Sequence, residues 1–161
     1  MAAKNHIKLS RLILKTEQRM THEYLSKKPK ELFWLFWLGV PYIIWIYSII
    51  TELSKKIPKY TELSKIVMIM LIAYPSIYMP IGLILLLSRY IDMDIILPFH
   101  YTAMICMFLL MVLTCITIIK FEKAERLKRS NGVGLFLGIW YFPIGIWIIQ
   151  PKLNEYIKRI K

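Results

Sequence analysis

The chain has 161 residues, 57% of them hydrophobic and 14% aromatic, with 22 Lys and Arg against 10 Asp and Glu for a net charge of +12. One domain fits this length, and the mean hydropathy of +0.51 comes from uncharged blocks, whereas a soluble domain scatters its apolar residues to suit one core face. The positive charge is spread over every connection without a recognised motif, so no nucleic-acid partner is expected.

Residues 1–31 are polar and basic. Leu9, Ile13, Met20 and Tyr24 fall near one helical face, with Lys4, Lys8, Arg11, Lys15 and Arg19 largely elsewhere. This predicts a basic amphipathic helix in the membrane interface, apolar face down. Lys27-Lys28-Pro29-Lys30 ends it. No small-residue cleavage site follows the first apolar block, so a removable signal is not expected.

A transmembrane domain is expected over 32–150. Its four segments, 32–50, 66–87, 98–119 and 133–150, hold no Asp, Glu, Lys or Arg. A charge at the bilayer centre costs several kcal/mol, and a helix needs about 20 apolar residues to cross. The first segment carries Gly39-Val40-Pro41, with Trp34 and Trp37 towards one end and Trp45 and Tyr47 towards the other. That spacing suits a straight crossing with an aromatic belt at each headgroup level. The connection behind it repeats TELSK at 51–55 and 61–65, too short a repeat to mark an array. The second segment contains Pro75 and Pro80, which predict a kinked span. The third is the plainest. The fourth contains Pro143 and a Gly134-x-x-x-Gly138 spacing that lets helices approach closely. Residues 151–161 read as a basic C-terminal tail.

Two topologies follow. Four straight spans divide the Lys and Arg 13 to 9 between the faces. Re-entrant hairpins at segments one and four, turning at Pro41 and Pro143, divide them 21 to 1. The positive-inside rule prefers the second. Backbone energetics oppose it, because a turn at membrane depth leaves N–H and C=O groups that lipid cannot satisfy. Four spans are therefore the expectation, with the hairpins as the alternative. Both place the two termini in the cytoplasm of a cell membrane, and an Ile-, Lys- and Tyr-rich composition suggests a bacterial inner membrane.

Few residues carry chemistry. Arg89, Asp92, Asp94 and His100 form the one polar cluster away from the basic connections; a solvated turn explains it better than a cation site. Met104, Met107 and Met111 continue to Cys115 at helical spacing, a pliable packing stripe rather than a Cu(I) ladder. Cys106 and Cys115, nine residues apart on a helix, cannot bridge. No nucleotide loop, catalytic triad or metal-ligand spacing is present, so neither cofactor nor enzymatic activity is expected. The chain is expected to act through protein–protein or membrane contacts, as a non-enzymatic subunit or an immunity- or defence-type membrane component. Its partners would be anionic lipid headgroups at the basic tails and a second copy or another membrane protein. An oligomeric channel, lined by Tyr74, Tyr78, Thr114 and Thr117, is the alternative.

Overall fold

A computed structural model describes residues 2–36, 39–58, 65–88 and 92–160, all of whose regular elements are helices. Trp37, Arg89 and most of the second TELSK copy lie outside the described residues. The helices are α1 (Ala2–Ser26), α2 (Pro29–Phe36), α3 (Val40–Ser54), α4 (Lys65–Ser88), α5 (Met93–Ala124), α6 (Gly132–Trp140) and α7 (Phe142–Ile160).

Two of the described helices, not four, are long and apolar enough to cross a membrane: α4 over Val67–Ser88 and α5 over Met93–Ala124. Neither has a polar side along its middle, which is how a helix reads when apolar surroundings enclose it. They pack as an antiparallel pair. The Tyr74 hydroxyl donates to the Phe99 carbonyl, and the Tyr78 and His100 rings lie 6.0 Å apart. Pro75 and Pro80 sit inside an unbroken α4, and Pro98 inside an unbroken α5. At 32 residues α5 is about 48 Å long. Its first half is largely exposed. Its second half, from Leu110 to Glu122, is enclosed by the other helices.

The outer apolar segments each break into two helices, so neither is one continuous helix. In the first, Gly39 lies between α2 and α3 with φ +73° and ψ −59°, a backbone shape that only glycine adopts freely. Pro41 follows in the first turn of α3, where its missing N–H costs nothing. In the fourth, Tyr141 separates α6 from α7, with Pro143 just inside α7. Both breaks sit beside the central pair at a similar height. A Cβ on Gly39 would lie 3.0 Å from Met79 Sδ, and Met79 is about 21 Å along α4 from Lys65. The rings of Phe136 and Trp140 pack on Phe108 of α5, about 21 Å along α5 from Glu122.

The core joins these broken helices to α1 and to the inner half of α5. Trp45, Ile46, Ile49, Leu53, Leu110, Phe121, Ile146 and Leu153 are almost wholly buried in it. Trp45, read from its spacing as a headgroup anchor, is a core residue, while Trp34 is exposed. Helix α1 docks on α3 and α7 through Glu17, Thr21 and Leu25, leaving Met20 exposed and Tyr24 half-buried. The C-terminal stretch is no separate tail, because α7 continues to Ile160 and buries Leu153, Tyr156 and Ile157.

Candidate functional site

The sequence-predicted polar cluster does not assemble into a pocket. Asp92 and Asp94 are exposed at the start of α5, with Asp92 at its N-cap, and His100 is exposed two turns further along the helix. Among the described residues no group of three His, Cys, Asp or Glu is placed to share a metal ion. The methionine stripe runs inward along α5: Met104 is exposed, Met107 half-buried, and Met111 and Cys115 are in the core. Of the four residues read as pore-lining, Thr114 and Thr117 are buried, and their hydroxyls donate to Leu110 and Leu113 of their own helix. Tyr74 and Tyr78 stack on each other.

The glycine spacing is used differently from a helix–helix dimer seam. Gly134 is exposed, with only Asn131 of its own turn within 4 Å of a notional Cβ. Gly138 instead meets Gly145 across the α6–α7 break, and a Cβ on Gly145 would fall 1.7 Å from the Gly138 carbonyl oxygen. Two glycines seven residues apart, on either side of a proline, let the chain fold back at backbone contact distance.

The two breaks meet each other. Phe36 lies 5.3 Å from Tyr42 and 5.7 Å from Phe142, ring to ring, and Trp45 completes the cluster. Pro143 has no N–H to give the carbonyl four residues back, that of Ile139. The Tyr42 hydroxyl, from the other broken helix, donates to that carbonyl at 2.6 Å. One side chain thus removes the unsatisfied acceptor that the proline creates in an apolar setting.

Sequence reasoning missed the buried polar groups at the opposite end of these helices. Glu122 on α5 is fully buried. Four donors converge on it: the Ser130 backbone N–H at 2.6 Å, the Ser130 hydroxyl, the Lys152 ammonium at 3.0 Å and the Tyr156 hydroxyl at 2.7 Å. Only an ionised carboxylate is acceptor-only and can meet four donors. Burial, and then the bond to Glu122, push the Tyr156 phenol above its ordinary range, so it stays protonated as a donor. Gln150 on α7 is equally buried. Its Oε1 accepts from Trp45 Nε1 at 2.8 Å. Its Nε2 donates to the Leu25 and Lys27 carbonyls at 2.9 and 3.0 Å and to Asn154 Oδ1. Leu25 sits in the last turn of α1, where carbonyls have no intrahelical partner; Gln150 caps that end from 125 residues away. Glu52 on α3 accepts from Thr21 on α1 and pairs with Lys55 at 2.7 Å, and Tyr47 donates to Glu17.

These groups form a buried polar layer that runs from Gln150, beside Trp45, to Glu52 and Glu122 near the C-termini of α3 and α5. A sequence signal for Gln150 exists: it is a lone amide in an apolar run. For Glu122, the buried stripe Leu110, Thr114, Thr117 and Phe121 runs past the end of the uncharged block at helical spacing. Beside the layer, an open groove of about 670 Å³ lies between α1 and the end of α3, lined by Lys15, Gln18, Arg19, His22, Glu52 and Lys55 among others. Comparison with known protein families, with curated proteins and with solved structures finds no match for the chain.

Proposed function

We propose that this is an integral membrane protein with two spans, α4 and α5, and two half-membrane wedges, α2–α3 and α6–α7, that enter from and return to the face carrying both termini. It works without catalysis, through its surfaces. The basic face binds anionic headgroups, and the exposed apolar side of α4 and outer α5 meets lipid and a membrane-protein partner. The observation that carries this reading is the junction of the two breaks. The main objection to a turn at membrane depth is its unsatisfied backbone, and Tyr42, Phe36, Phe142 and Met79 cover these turns from the protein side. The charge distribution agrees, since the wedge topology puts 21 of the 22 Lys and Arg on one face and Arg89 alone on the other. A non-catalytic role fits the buried carboxylate and amide, whose hydrogen-bonding capacity is filled by structural partners.

Single cysteines test the topology. In a background with Cys106 and Cys115 replaced by Ala, Lys56→Cys, Met93→Cys and Lys158→Cys are made separately and intact cells treated with an impermeant thiol reagent. All three positions are exposed. Met93→Cys alone should label, with the other two reacting only after permeabilisation. Four straight spans would reverse the first two, labelling Lys56→Cys and protecting Met93→Cys, and that pattern would overturn the proposal.

A further inference from the structure

The groove between α1 and α3 has a composition unlike the rest of the layer. Elsewhere in it, each buried acid or amide is matched by its donors. Here Lys15 and Arg19 on α1 and Lys55 on α3 face a single carboxylate, Glu52, which already accepts from Thr21 and Lys55. The nearby acid Glu17 is engaged by Tyr47, and Glu23 pairs loosely with Lys27. Cationic charge from Lys and Arg in the groove therefore exceeds its anionic charge by two.

We infer that the groove is a phosphate-binding site, and that its occupant is the phosphodiester of an anionic phospholipid in the leaflet under α1. The Arg19 guanidinium with the Lys15 and Lys55 ammonium groups matches the charge of a phosphate. The volume of about 670 Å³ admits a headgroup. The lipid source follows from position. The groove is walled by α1 and by Glu52 and Lys55 at the C-terminal end of α3, the end that the wedge topology returns to the basic face, so the groove opens at headgroup depth. This rests on the wedge topology proposed above and sharpens it from a diffuse basic face to one site.

Native mass spectrometry of the full chain released from nanodiscs tests it, with bound lipid counted after phosphatidylglycerol and phosphatidylcholine are mixed in equal amounts. The wild type should retain one phosphatidylglycerol in preference to phosphatidylcholine. The double variant Lys15→Gln/Arg19→Gln should lose that preference by tenfold or more. Lys158→Gln/Arg159→Gln removes the same charge from the exposed end of α7 and should change it less than twofold. Equal losses in both variants, or no preference in the wild type, would overturn the site. A second arm follows thermal stability in detergent with inorganic phosphate as the probe. Stabilisation by millimolar phosphate that the Lys15/Arg19 variant abolishes would support the site with a soluble phosphate as occupant. Retention of phosphatidylglycerol without that response supports the lipid. The cysteine-labelling pattern is read separately, so a failed groove and a failed topology are distinguishable.

Discussion

Gly145 is the residue least able to change. A methyl group there would overlap the backbone of Gly138, which no side-chain rotation can relieve. Gly145→Ala should cost about 2–4 kcal/mol, the upper range for overpacking, read by SDS titration of the helical signal in mild detergent. Gly134→Ala, on the open side of α6, should stabilise by up to about 1 kcal/mol through helix propensity alone. If both lie within experimental error of the wild type, the close approach of α6 and α7 is wrong. Glu122→Gln keeps the shape but turns an amide NH₂ towards four donors, so it should cost about 1.5–3 kcal/mol. Sequence reading had placed the glycine pair at 134 and 138 and had no reason to select 145. A GxxxG spacing is a property of a straight helix face, whereas the used pair is brought together by a break.

At the scale of elements, the ends of helices decide more than their interiors. Arg126 terminates α5 in the left-handed region at φ 53°, while the Leu127 N–H returns to the Glu122 carbonyl at 2.8 Å, the closure that usually has glycine at this position. Arg126→Gly should therefore stabilise by about 1 kcal/mol, visible as a higher melting temperature. The joint between α2 and α3 has the opposite sign. Gly39→Ala forces a side chain into a conformation L residues avoid and should destabilise by about 1–3 kcal/mol. Tyr42→Phe should cost a similar ~1–3 kcal/mol by leaving the Ile139 carbonyl without a partner. The loss should vanish in the background Pro143→Ala if the restored N–H takes over that carbonyl. These ends were poorly legible in the sequence. Pro41, Pro75, Pro80 and Pro143 carry the same local preference, yet two sit in an unbroken helix and two at breaks.

Across the whole molecule, the charge bias that the wedge topology would create exceeds what any single loop can alter. Asp92→Lys/Asp94→Lys raises the basic count of the α4–α5 turn from 1 to 3, against 21 on the other face. Its orientation should be unchanged, with Lys158→Cys in that background still protected from impermeant reagent. An inverted labelling pattern would mean that the two faces are far closer in charge than the wedge topology makes them. Stability is divided by level as well. The outer half of α5 and most of α4 present apolar side chains outward, while the inner half of α5 is held by Glu122 and by Phe121 packed on Tyr156. Amide exchange in detergent should accordingly be slowest over Leu110–Phe121.

The amino-acid sequence determined the helical class, the positions of the four apolar blocks and the basic amphipathic start, because each follows from composition and periodicity within a short window. Whether an apolar block stays one helix or breaks in two was decided only in three dimensions. A proline frees a carbonyl wherever it stands, and the outcome depends on what covers it. For Ile139 that is a hydroxyl 97 residues away in sequence, on the other broken helix. The buried Glu122 and Gln150 were hidden for the same reason. A lone polar residue at the end of an apolar run is solvated or saturated according to neighbours that only the packed fold supplies.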